Sequence, residues 1–374
     1  MGRGIFTKQN NQWCSVKNIW TKHNGVWCPV KKVYVKVEGQ WCLCFPSGGC
    51  SYTLTQFEWE SPEYLWYSAG IDATKDGCFL LHQHSYIDYD TYDNWLSVEF
   101  FDTDGNFVKK AISFGEDNWP QYVKKIGDEI WFSYTLGGEG NPGFYTIPWD
   151  ETLQIYPVDS ADLKVQMPYS WKVVERFDGR IFISGLDGAD WTAPNSIFWY
   201  DNGSITKVVE IGGCSCGFDF DNEGNLWAGE YLLDEGQSYI LPCRLGMWTK
   251  ADVDSGGILT WADASVIIDL GSHPDTGFNW GVSDVVCDDR GNIYVSVNTY
   301  EQFDMNHEYG AVIKVYKDEE GNYQKEYLLL KNNTGNTNWD WFRSMTIDNN
   351  NLILDIDHTQ ADPSSPDACQ VIQI

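Results

Sequence analysis

Basic side chains are scarce in this chain: 25 Lys and Arg stand against 54 Asp and Glu in 374 residues, a net charge of -29. A surface this acidic repels phosphate, which excludes nucleic-acid binding through the bulk of the protein. Long apolar runs are missing too. None reaches the roughly 18 residues of a membrane-spanning helix. The opening stretch MGRGIFTKQNNQW lacks the apolar segment of a secretory signal. No membrane insertion is expected, and the chain reads as one folded in a cytoplasm. Also missing are the GxSxG, P-loop, HExxH and dinucleotide fingerprints. With 54 acids, no two can be singled out as a glycosidase pair. The expectation is therefore a protein that is not an enzyme, with no catalytic residue and no cofactor.

Aromatic residues are abundant: 19 Trp, 21 Tyr and 18 Phe. They bury large areas and drive collapse, which excludes a disordered acidic chain. Eleven cysteines, an odd number spread over a long chain, read as mostly reduced thiols rather than a disulfide framework.

Charge divides the chain in two. Residues 1–50 hold seven basic residues and one acid, a balance of +6 against -35 for the remainder. Such asymmetry separates units with different neighbours, here a segment 1–50 and a domain 51–374 that meet near FPSGGC. The basic segment is an internal repeat. Trp13, Trp27 and Trp41 recur every 14 residues, each followed by Cys, and Ile19-Trp20-x-Lys22 returns as Val33-Tyr34-x-Lys36. Alternation in Val33, Val35 and Val37, with turns at Asn24-Gly25 and Glu38-Gly39, predicts strand, turn, strand in each repeat. Short hairpins bury little by themselves. The stripe of Trp13, Trp20, Trp27, Tyr34 and Trp41, flanked by Lys17, Lys31 and Lys36, therefore reads as an anchor that packs on a partner, on a like chain, or on the larger domain as an extra sheet.

The stretch VKNIWTKHNGVWCPVKKVYVKVEGQW resembles the short repeats found near the ends of virion structural proteins of tailed bacteriophages, especially tail, baseplate and fibre components. The resemblance covers about 40 residues. It implies a structural role in the virion, assembled in the host cytoplasm, with residues 1–50 docked to other virion proteins and the acidic domain displayed outward. Capsid decoration or a head-fibre protein is the alternative placement, and a homo-oligomer is compatible with it.

Beyond residue 50 no helical periodicity appears, only short aromatic and β-branched runs separated by Asp-x-x-Gly-Asn turns at Asp102, Asp221, Asp288 and Asp318. The turns lack the twelve-residue ligand series of a calcium loop. His82 and His84 share a strand face without a third ligand, and Cys214-Ser-Cys216 is too closely spaced for a zinc knuckle, so no metal site is expected. Six units emerge, with innermost strands starting near Ser68, Tyr122, Trp171, Gly217, Val282 and Phe342. This predicts an all-β chain: hairpin repeats followed by a six-bladed β-propeller, with five or seven blades as the competing counts. The sixth unit has only three strands before Ile374, and the alternating residues 51–59 are expected to close it.

In such a ring the loops entering each inner strand share one face with those joining second and third strands. They carry Tyr86, Tyr89, Tyr92, Trp95, Trp119, Trp191, Trp280 and Trp339 amid acidic residues. Aromatic faces stack on sugar rings while carboxylates pair with hydroxyls, so these residues are candidates for binding a host-surface carbohydrate. The competing reading buries them between blades. A glycan-cleaving propeller enzyme is the further alternative, since such enzymes assemble sites from scattered loops.

Overall fold

A computed structural model describes the strands within residues 6–45 and, from 64 to 374, everything outside 75–76, 87–93, 103–106, 115–118, 136–140, 150–160, 189–192, 214–216, 234–239, 300–308, 332–338, 349 and 360–367. The basic segment forms three two-stranded hairpins: β1 (Phe6–Gln9) with β2 (Gln12–Ser15), β3 (Trp20–His23) with β4 (Val26–Pro29), and β5 (Val33–Val37) with β6 (Gln40–Phe45). Their registers repeat with the sequence, for Lys8 pairs Trp13, Lys22 pairs Trp27 and Lys36 pairs Trp41. Trp20 and Tyr34 lie in β3 and β5. Lys17, Lys31 and the expected closing strand 51–59 fall outside the described residues.

Six antiparallel sheets follow. Blade one is β7 (Tyr64–Thr74), β8 (Gly77–Tyr86), β9 (Asn94–Phe101) and β10 (Phe107–Phe114). Blade two is β11 (Trp119–Ile126), β12 (Glu129–Thr135), β13 (Gly143–Pro148) and β14 (Asp162–Gln166). Blade three is β15 (Ser170–Glu175), β16 (Ile181–Leu186), β17 (Asn195–Asp201) and β18 (Ser204–Glu210). Blade four is β19 (Phe218–Phe220), β20 (Leu226–Gly229), β21 (Arg244–Trp248) and β22 (Val266–Asp269). Blade five is β23 (Gly281–Cys287), β24 (Ile293–Asn298), β25 (Gly310–Lys317) and β26 (Tyr323–Lys331). Blade six is β27 (Trp339–Asp348), β28 (Asn351–Thr359) and β29 (Ala368–Gln373). The chain is thus a six-bladed β-propeller, as its spacing predicts. The ring closes between blades six and one, where Ile71 donates its backbone N–H to Ser344 Oγ (2.9 Å) and Ala73 donates to Thr346 Oγ1 (3.2 Å).

The core is a set of layers between blades. Consecutive residues on a strand point to opposite faces, so Phe182 and Ile197 pack toward blade four with Phe218, Leu226 and Trp248. Their neighbours Ile183 and Phe198 pack toward blade two with Trp131 and Phe144. A blade is therefore apolar on both faces, which is why its strands read as nearly continuous hydrophobic runs. Adjacent inner strands come very close. A Cβ on Gly217 would sit 2.4 Å from the Asp284 Cα, and one on Gly70 would sit 2.8 Å from that of Tyr122.

The Asp-x-x-Gly-Asn turns hold themselves together. Asp221 Oδ1 accepts N–H bonds from Glu223 (2.9 Å) and Asn225 (3.0 Å), while Oδ2 accepts from the Asn225 amide and the Trp227 indole. Gly224 supplies the positive φ of +83°. Asp288 repeats the arrangement with Arg290, Asn292 and Tyr294, and Asp318 with Glu320, Asn322 and Gln324. The oxygens that a cation would need are thus committed to N–H and O–H donors. Cys78, Cys243 and Cys287 are free thiols. No helix among the described residues is long and apolar enough to cross a membrane.

Candidate functional site

The inner strands bring charge to the axis of the ring. Where a propeller strand would be apolar, WKVVE carries Lys172, FDF carries Asp219 and GVSDVVC carries Asp284, while β7 and β11 add Asp72 and Lys124. Two ion pairs form. Lys172 donates from Nζ to Asp284 Oδ1 at 2.6 Å and to the Val285 carbonyl at 2.7 Å, reaching from blade three to blade five past blade four, with both side chains almost wholly buried. Lys124 meets Asp72 at 2.9 Å between blades two and one.

The carboxylates also latch successive blades. Asp72 Oδ2 accepts from the Lys125 N–H (2.9 Å), Asp219 Oδ2 from Cys287 (2.8 Å) and Asp284 Oδ2 from Met345 (2.8 Å). Of these three carboxyls, Asp219 is the one with no ion pair to Lys124 or Lys172. Burial pushes its carboxyl pKa up, opposed by the charge of Lys172 and the Cys287 N–H, yet its side chain is only partly enclosed. Burial pulls the Lys124 ammonium down, but the Asp72 carboxylate outweighs it and leaves its pKa raised. Burial and then the Asp284 charge push the Tyr122 phenol well up, and the Lys172 ammonium lies 5.3 Å from that ring.

Sequence reasoning missed this constellation. Its signal was charge embedded in apolar inner strands, legible only once the strands were known to face one axis. Of the expected carbohydrate-binding residues, Tyr86 ends β8, Trp95 lies at the start of β9, and Trp119 and Trp339 open β11 and β27. The strand directions bring these four to the same end of the ring, the face predicted for them. Tyr89, Tyr92 and Trp191 fall outside the described residues. Trp280 departs from the expectation. It is fully buried in the core between blades four and five, where its indole N–H donates to the Tyr327 hydroxyl at 3.2 Å, and no ring face is open to a sugar.

No protein-family model and no curated protein matches the chain. Among solved structures a glucose dehydrogenase shares the fold with a TM-score of 0.52 and 8% identity, over 82% of this chain and 96% of that one. Regucalcin, a calcium-binding protein from Agrobacterium tumefaciens, aligns with a TM-score of 0.46 and 14% identity over 83% and 91% of the two chains. A polysaccharide lyase aligns with a TM-score of 0.44 and 9% identity over 86% and 98%. At such identities the likeness is one of fold. The expectation of a non-enzymatic protein is nevertheless corrected here. The propeller is shared with enzymes, the glucose dehydrogenase among them, and the architecture gives no ground for setting catalysis aside.

Proposed function

We propose that the propeller cleaves a carbohydrate polymer at the axis of its ring and that the basic hairpin repeats tether it to a tailed-phage particle. The observation that carries the catalytic reading is the carboxyl of Asp219, which accepts the N–H groups of Phe220 and Cys287 but has no salt bridge, and whose pKa burial raises beside two ion-paired carboxylates. Environments that drive titratable neighbours apart create an acid and its counterparts in one site. In this reading Asp219 gives its proton to the glycosidic oxygen as the bond to the anomeric carbon breaks. Water then adds hydroxide to that carbon and returns a proton to the carboxylate.

The test is product analysis after incubation with neutral and acidic polysaccharides. Wild-type protein is expected to release oligosaccharides. Asp219→Asn, with an unfolding midpoint no lower than that of the wild type, is expected to lose a factor of about 100 or more, the scale of general acid catalysis. Failure of the wild type to cut any polymer overturns the reading.

The tether is supported by the identical register of the three hairpins and by their +6 balance beside a domain of -35. A chain lacking residues 1–50 is expected to fold its propeller and to be lost from particles. Incorporation at normal copy number refutes the tether, wherever in the virion the protein resides.

A further inference from the structure

Resting on the carbohydrate reading above, we infer that Tyr169 and Trp171 form a stacking subsite for a neutral pyranose at the loop end of the inner strand β15. Both stand among the aromatics that the sequence sets just ahead of the inner strands. They flank the start of β15, at the loop end of the inner strand whose next residue, Lys172, makes the axial ion pair. Both rings are partly open to solvent, with centroids 6.3 Å apart and planes inclined by 35°. Two such rings present a shallow concave wall rather than a closed stack, a shape that receives the apolar face of a sugar.

The backbone beneath them is pinned from both sides. Leu186 donates to the Tyr169 carbonyl at 3.0 Å and Ser133 Oγ to that of Trp171 at 3.1 Å. Between them Ser170 Oγ donates to the Tyr134 carbonyl at 3.0 Å, and the Lys172 N–H donates to Ser184 Oγ at 3.2 Å. A platform held this way loses little conformational freedom when a ligand arrives.

The indole of Trp171 is the second pointer. Trp227, Trp248, Trp261 and Trp280 each donate Nε1–H, to Asp221, the Thr260 carbonyl, the Ile211 carbonyl and Tyr327 respectively. The Trp171 N–H is buried with no acceptor. Trp131 shares that condition, but its ring is 2% exposed and locked in the core. Trp171 is held by packing alone, and a small tilt of the ring toward a bound hydroxyl gives its N–H an acceptor. The net charge of -29 disfavours polyuronates, so the unit recognised is a neutral sugar.

The experiment is steady-state kinetics on the neutral polysaccharide that the wild type cuts, and calorimetric titration of the oligosaccharide it releases. Trp171→Ala and Tyr169→Ala are each expected to raise KM and the dissociation constant about tenfold or more, with kcat within about threefold, as loss of stacking area predicts. Trp171→Phe keeps a ring without the N–H and is expected to fall between. Equal unfolding midpoints exclude general damage. If all three variants keep the wild-type KM and affinity, or if only polyuronates are cut, this subsite is refuted while cleavage stands. If the wild type neither cuts nor binds any polysaccharide, the carbohydrate reading itself has failed.

Discussion

The axial pair of Lys172 and Asp284 offers the sharpest test of how the ring is held. Asp284 carries three loads: the salt bridge to Lys172, the Met345 N–H of blade six and the Val285 N–H on its own strand. Asp284→Ala leaves the Lys172 ammonium buried with only the Val285 carbonyl as partner. Breaking a buried ion pair from one side costs about 3–5 kcal/mol, and an orphaned buried N–H costs about 1–3 kcal/mol. The two overlap, so about 4–6 kcal/mol is expected. At about 2 °C per kcal/mol for a large domain, that lowers the unfolding midpoint by about 8–12 °C. Urea titration measures the free energy and a thermal melt the midpoint, each followed by tryptophan fluorescence and circular dichroism. The double variant Lys172→Met with Asp284→Leu removes both charges together and is expected to recover at least half of the loss, because the attraction of a buried pair little more than offsets its desolvation. A single variant costing under about 1 kcal/mol, or a double variant no better than the single, refutes the assignment.

Gly217→Ala drives a methyl group into the backbone of Asp284 and is expected to destabilise by at least about 1–3 kcal/mol in urea titration, whereas Gly257→Ala, with nothing nearer than 3.9 Å, serves as the neutral control. Asp221→Ala removes four acceptor bonds from one turn and is expected to cost about 1–3 kcal/mol, while added calcium or chelator leaves the thermal midpoint of the wild type unchanged. Asp178, hydrogen-bonded to Arg176, has its carboxyl held down to about 2 from the ordinary 3.8. Its stabilising contribution is present above 3.8 and lost as pH falls through about 2, so Asp178→Asn is expected to flatten the stability profile across that window. For Asp219 the sign is reversed. Its raised pKa favours the fold below the ordinary carboxyl value and the benefit fades as pH climbs through the folded value, so Asp219→Asn is expected to gain stability on the wild type at neutral pH.

Much of this architecture was legible in the chain because a propeller is built from local rules. Hairpin pairing joins residues near in sequence, and each blade repeats the same alternation and turn chemistry. Inner strands expected to start near Ser68, Tyr122, Trp171, Gly217, Val282 and Phe342 begin at Tyr64, Trp119, Ser170, Phe218, Gly281 and Trp339. The Asp-x-x-Gly-Asn turns at Asp221, Asp288 and Asp318 behave as their spacing implies, since a carboxylate can reach the N–H groups two and four residues ahead, while the turn after Asp102 lies outside the described residues. The 14-residue repeat likewise carries over into the register of three hairpins.

What local rules could not supply is which side chains meet across the ring. Trp280 and the candidate loop aromatics look alike in sequence, and only packing against Tyr327 and the core of blade five makes Trp280 a buried residue. Lys172 and Asp284 are 112 positions apart, and Thr346 donates to Asp72 across 274. Each is one charged or polar residue in an apolar strand until the ring closes. The chain determined the blades because their contacts are short in sequence. The tertiary structure decided the axial charges and the odd carboxyl of Asp219, because a site on a closed ring exists only where all six strands converge.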